Sequence, residues 1–290
     1  MTFDLYFFKR EQEPGIAIEE LISVCSSNPN VNIRQLKSGY DLFYKNKLTE
    51  VYFMMGFDSE DDGPNVPGFK RTGLTVNVNY ARPTYFALEA FPVITGIAES
   101  LSLLVLDDQS GPTVQIPSKP DANALTESWI KNNKWAAGAG WSQGEKIHFV
   151  PREKLDYLWT YLTLTNTIQQ VVDVFVPTKV FAYGDREGNI ATCCLWPNYM
   201  PQAFPIVDLV LMGNTQSQPG NRLRGFVKLA HVRQALHGNI RDVKGPVEHL
   251  LLLDELPGKT RMKIDQISMI PTQDLKLVAW DTVVDVPPSA

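Results

Sequence analysis

The chain has 290 residues, enough for one large domain or two modest ones. Its 27 Lys and Arg stand against 32 Asp and Glu, a net charge of −5, which argues against nucleic acid as the partner because phosphate binding needs a basic face. Three cysteines form no disulfide framework and fit a reducing compartment, so a cytoplasmic location is expected. No apolar run approaches the ~20 residues of a membrane span, and none near the N-terminus has the length of a secretory signal.

Phe3, Leu5 and Phe7 alternate at strand period, with Tyr6 and Phe8 apolar on the other face, which predicts an interior strand. After Glu13-Pro14-Gly15, Ile18, Leu21, Ile22 and Cys25 form one helical stripe. Val31 to Gln35 reads as a short strand or connector. Tyr40 to Tyr44 and Val51 to Phe57 read as a hairpin. Residues 58–70 read as a surface loop, with four carboxylates followed by Gly, Pro, Pro and Gly. Leu74 to Tyr80 alternates between Val and Asn, a strand with one polar face.

Thr84 is placed as the N-cap of a helix that Pro92 should interrupt and restart. Leu103 to Leu106 reads as a buried strand. The resulting order resembles a ferredoxin-like split βαβ arrangement elaborated by a hairpin. Residues 113–121 read as a linker, dividing an N-terminal α+β module, 1–112, from a C-terminal one, 122–290.

In the second module Ala124 to Trp135 is predicted helical and 136–144 loop-like. A firmer helix starts at Pro151, with Leu155, Leu158, Trp159 and Leu162 on one face, and carries into Val171. The remainder is predicted to be mainly strand, in a mixed or antiparallel sheet. Its segments are 174–176, 179–183, 190–196, 206–212, 250–253, 262–269 and 275–284, with a helix at 229–237. The whole chain is thus expected to be an α+β protein.

Chemistry is sparse. The four histidines, His148, His231, His237 and His249, show no ligand spacing. Cys193 and Cys194 are neighbours on a predicted strand, so they point to opposite faces and cannot share an ion. Gly138-Ala-Gly140 follows no strand and has no Lys-Ser or Lys-Thr, so it does not read as a phosphate loop. No metal, cofactor or catalytic residue is expected. The acidic stretch Asp58, Glu60, Asp61 and Asp62 admits four readings: a solvated loop, a calcium loop without EF-hand spacing, a carboxylate pair, or a protein contact that steers a basic partner. Asp107 and Asp108 would extend the same patch.

The motifs Phe3-Asp-Leu-Tyr-Phe-Phe8, Val51-Tyr-Phe53 and Asn79-Tyr-Ala-Arg-Pro-Thr-Tyr-Phe-Ala-Leu-Glu-Ala90 resemble the immunity proteins of polymorphic toxins and type VI secretion in Gram-negative bacteria. Trp196 and Phe204-Pro-Ile-Val-Asp208 resemble the same group. The resemblance implies a non-catalytic cytoplasmic binder that sequesters a cognate secreted toxin, with a nuclease effector as the partner considered. Tyr80, Arg82, Tyr85 and Glu89 carry the match, and Arg82 and Glu89 are expected to pair or cap near the helix start. Asp58, Glu60, Asp61, Asp62, Asp107 and Asp108 are the toxin-contact candidates on charge grounds. Two other readings stay open: a hydrolase with its site between the two modules, using dispersed carboxylates and His148 or His249, and an adaptor or chaperone for a secreted effector.

Overall fold

The computed structural model describes residues 1–58, 63–109, 116–144, 146–213 and 223–288. The described residues form an α+β protein with two compact units, Met1–Ile147 with Pro288, and His148–Pro287.

The first unit runs β1 (Thr2–Arg10), α1 (Ile18–Ser26), β2 (Val31–Gln35), β3 (Gly39–Lys45), β4 (Tyr52–Asp58), β5 (Phe69–Asn79), α2 (Tyr85–Ser100), β6 (Leu104–Asp107) and α3 (Ala122–Ser142). Its six-stranded sheet has the order β2-β3-β4-β5-β1-β6, with every neighbouring pair antiparallel. The inner order β4-β5-β1-β6 is that of two interleaved split βαβ units, and β2 and β3 extend it on one side.

The Val/Asn alternation in β5 and the Phe/Leu positions of β1 work as strand periodicity dictates. Phe3, Leu5, Phe53, Met55, Val76 and Val78 are buried. Burial of side chains of this size is worth roughly 2 kcal/mol each before the entropy of ordering them is counted.

Three sequence-based expectations change in this unit. Of the expected linker, residues 113–115 lie outside the described residues, while 116–121 belong to the first unit: Ser118 pairs with Val105, and Asp121 caps α3 through Asn123 and Ala124 N–H. The helix α3 therefore belongs with α2, and the division lies at Ile147/His148. Residues 136–142 are helix and not loop: Ala136, Ala137 and Gly140 are buried, and that packing overrides the low helix propensity of glycine. Pro92 does not interrupt α2, whose 16 residues run through it with Ala90, Phe91, Ile94 and Thr95 buried. Thr84 does sit at the N-cap position, but its side chain makes no capping hydrogen bond there.

The second unit runs β7 (His148–Phe149), α4 (Arg152–Thr163), α5 (Thr165–Val171), β8 (Phe181–Gly184), β9 (Ile190–Pro197), β10 (Gln202–Pro205), β11 (Leu209–Gly213), β12 (Leu223–Lys228), α6 (Leu229–Ala235), β13 (Ile240–Val243), β14 (His249–Leu252), α7 (Gly258–Asp265), β15 (Lys276–Val278) and β16 (Val283–Val284). A mixed five-stranded sheet, β12-β11-β9-β8-β15, has β11 parallel to β9. A three-stranded antiparallel sheet, β10-β14-β13, and the parallel pair β16-β7 complete it.

The core of this unit is built on Trp196, Tyr161, Phe204 and Leu250 to Leu252. Trp196 meets Phe204 edge-on at 5.1 Å and donates its indole N–H to Met200 O at 2.8 Å, so the ring is buried with its polar atom satisfied. On α4 the inward residues are Leu155, Leu158, Tyr161 and Leu162, with Trp159 only half-buried. Residues 262–269 are not a strand. Helix α7 ends at Asp265, and its charge alternation mimics strand period while only Ile264 is buried. Residues 275–284 break into two short strands, and 174–176 holds a single bridge at Phe175.

Among the described residues no helix is long and apolar enough to cross a membrane.

Candidate protein-binding surface

Strand alternation gives the six-stranded sheet two different faces. One is buried under helices. On the other, register aligns one residue per strand in rows. One row reads Asn32, Phe43, Met54, Asn77 and Asp4 across β2, β3, β4, β5 and β1. The next reads Arg34, Asp41, Gly56, Thr75 and Tyr6. Phe43 and Met54, directly opposite each other, are 39% and 44% exposed. An exposed cross-strand aromatic and thioether in mid-sheet has no structural need to face water, and such patches mark contact sites.

The apolar pair is held firmly. Tyr52 packs on Phe43 at 6.2 Å between ring centroids. Arg82 donates to the Tyr52 hydroxyl at 2.8 Å and lies over its ring at 5.8 Å, and Asn79 donates to the same hydroxyl at 3.1 Å. Behind the sheet, Glu89 of α2 accepts from Tyr44 (2.9 Å), Asn46 (2.8 Å) and Thr49 (3.0 Å). These bonds fix the β3–β4 hairpin against the helix. Burial, then the Glu89 charge, pushes the Tyr44 hydroxyl far up, so it stays a donor. Arg82 thus holds Tyr52 of β4, and Glu89 holds Tyr44 of β3 with Asn46 and Thr49 of the turn that follows it, so both anchor the hairpin where they were expected to pair or cap near the helix start.

The polar surround is mixed. Asn77 donates to Asp4 at 2.5 Å and Arg34 to Asp41 at 2.5 Å. Gly56, between Asp41 and Thr75, leaves a dip beside Met54. Further along the face, Val66 and Phe69 close over Phe8 and Leu106, which leaves the β2–β4 half open. An apolar centre with a polar rim is the pattern of a protein interface.

The acidic candidates separate. Asp58 is the last residue of β4, not part of a loop, and accepts from Ser38 Oγ at 3.3 Å. Gly39 and Gly73 flank it so tightly that a Cβ would strike the Phe57 and Asp58 carbonyl oxygens. Glu60, Asp61 and Asp62 lie outside the described residues. Asp107 ends β6 and accepts from Ser128 Oγ (2.6 Å) and the Gln109 N–H (3.0 Å). Asp108 is raised above the usual carboxylate range by partial burial and by Asp4 and Asp107. Two strands, β5 and β1, separate β4 from β6, so Asp58 and Asp107 sit on the order of 15 Å apart. They do not form the single patch expected from charge alone.

The three cysteines are not activated nucleophiles. Burial pushes Cys25 up to about 11 and Cys193 up to about 12, and drives Cys194 well above the thiol range, so none is a thiolate at neutral pH. His249 is 2% exposed in the middle strand β14, with Nδ1 at 2.8 Å from Val247 O. His148 lies on the two-residue strand β7. The described residues hold no group of three His, Cys, Asp or Glu placed to bind a metal.

Phe43, Met54 and Tyr52 were not singled out from sequence. The signal was there in the hairpin: with Phe53 and Met55 inward, period two sends Tyr52 and Met54 outward, and pairing with β3 brings Phe43 beside them. Compared with protein-family models, curated proteins and solved structures, the chain matches none.

Proposed function

We propose that this chain acts by binding another protein on the open face of its six-stranded sheet. We further propose that the partner is a secreted antibacterial toxin, which the chain neutralises in the cytoplasm as an immunity protein. The observation that supports binding is the exposed cross-strand pair Phe43 and Met54, rigidly backed by Tyr52, Arg82 and Glu89. The toxin reading rests on the motif resemblance at the start of β1 and in β4, two strands of this face, and around α2, which packs behind it. A nuclease toxin is the partner that suits best. Asp4, Asp41 and Asp58 lie on the same face, and a nuclease active site is lined with Lys and Arg.

Co-expression with the toxin encoded beside its gene tests the reading. The chain should restore growth and form a stable complex. Phe43→Thr with Met54→Thr, which keeps strand propensity and adds no charge, should abolish both while the variant still unfolds cooperatively, since a central apolar anchor is worth about 2 kcal/mol or more of binding. Full protection by a folded double variant sinks the assignment of this face. Absence of any protection by the wild-type chain sinks the toxin reading.

A further inference from the structure

Sheet edges in this protein are mostly closed. Strand β6 is covered by the Val105–Ser118 bridge, β12 by Phe226–Ile270 and β10 by Phe175–Gln202. Strand β15 is three residues long, and β13 carries Arg241 and Asp242, the latter tied to Arg233 at 2.8 Å. Strand β2, five residues long, is different: it pairs with β3 alone, and among the described residues no segment bridges its other edge. It has no Pro, no Lys and no bulge, and its one charge, Arg34, is turned back onto Asp41 of β3 at 2.5 Å.

Alternation shows which backbone groups are free. Lys45 N donates to Asn30 O and Leu36 N to Gly39 O, both at 2.8 Å, so the even-numbered residues of β2 bond to β3. Ile33 and Gln35 therefore direct N–H and C=O outward. Val31 directs its C=O outward too, while its N–H is taken by Asn28 O at 3.1 Å.

The geometry points to a second copy of this chain as the occupant, its own β2 added antiparallel about a two-fold axis at Ile33. In that register the two Ile33 exchange both backbone bonds, and each Gln35 N–H meets the other copy's free Val31 carbonyl. Charge selects it over the neighbouring register. An axis at Arg34 would set two arginines, each 74% exposed, directly opposite one another. The axis at Ile33 puts Arg34 opposite the other copy's Asn32, with Asp41 balancing each guanidinium. The same row leads from Asn32 to the exposed Phe43, so Arg34 of one copy comes within reach of the Phe43 ring of the other. The two sheets would join into one, with their helices on the same side. This inference stands on the sheet edge alone and is independent of the toxin reading.

Sedimentation equilibrium of the full chain, with amide hydrogen exchange, tests it. The wild type should dimerise, and the Ile33 amide should exchange more slowly as concentration rises. Gln35→Pro removes one outward N–H per copy without touching the β3 ladder. It should weaken dimerisation about tenfold or more and return Ile33 to fast exchange, with the melting curve of dilute protein unchanged. Arg34→Gln should weaken the dimer too, by removing the cation that reaches Phe43 of the other copy while keeping the backbone and adding no charge beside Asp41. A wild type that stays monomeric at its highest soluble concentration overturns the proposal. So does a dimer that neither variant weakens, since it would use another surface.

Discussion

Asn133 of α3 and Arg82, just ahead of α2, exchange hydrogen bonds side chain to backbone: Asn133 Nδ2 donates to Arg82 O at 2.8 Å, and its Oδ1 accepts from Arg82 N at 3.4 Å. Asn133 is 1% exposed, and Arg82 directly follows Ala81, whose φ is 55°. A buried side-chain amide thus caps a strained backbone junction and ties a helix 51 residues away into the first unit. Asn133→Ala should strand both Arg82 backbone groups and destabilise by about 2 kcal/mol, read from urea denaturation. A fragment of residues 1–147 should fold, and one of residues 1–112 should not. Cooperative unfolding of the shorter fragment would show that α3 is dispensable.

Glu89→Ala should be among the most damaging changes at a partly buried polar residue of the first unit. It leaves Tyr44, Asn46 and Thr49 donors without their shared acceptor, at a cost of about 3 kcal/mol. Glu89→Gln should cost less, because one amide oxygen can still accept. A melting temperature unchanged in both variants would mean that the hairpin does not depend on this carboxylate.

Stability of the second unit should carry a pH signature from Asp208. Burial works against its charge, but Lys154 at 2.7 Å and the N–H and hydroxyl of Thr192 outweigh it, so its pKa is lowered. An unfolded aspartate titrates near ~3.9. A lowered folded value means that the stabilisation is complete above that point and is lost as pH falls through the folded value. Asp208→Asn should be less stable than wild type at pH 7, and the gap should close toward pH 2. A gap that stays constant between those values would show that the carboxylate's ionisation contributes nothing.

The three thiols should be inert in the folded protein. Cys25, Cys193 and Cys194 are buried and raised, so a thiol reagent at pH 8 should label none before unfolding and all three in denaturant. Labelling of any one at native-state rates comparable to a free thiol would locate an opening that the packing does not show.

Local rules served well where one residue period matched one burial pattern. Strands β1 and β5, the β3–β4 hairpin and helix α4 were legible because their apolar positions face a single layer. They failed where packing outvoted propensity. Pro92 and the Gly138–Gly140 stretch are helix breakers in isolation, yet each lies in a segment whose neighbours are buried, and tertiary burial exceeds the local penalty. Helix α7 was missed for the opposite reason: with a single inward side chain it carries almost no helical period, and its alternating charges read as strand. The binding surface was half legible. Carboxylates announce themselves by charge, whereas Phe43 and Met54 acquire meaning only once register sets them side by side and exposed on one face of the sheet.

Strand β7, where the second unit begins, lies parallel to β16, where it closes, and Val150 N donates to Val284 O at 3.0 Å. Entry and exit of some 140 residues are therefore stitched together at one doorway. A segment with adjoining ends behaves as a cassette: it can be lifted out, permuted by joining its own termini through a short tether, or swapped for another insert without re-routing the remaining chain. Diversification of such a protein would proceed by exchanging what passes through that doorway while the sheet that precedes it stays constant.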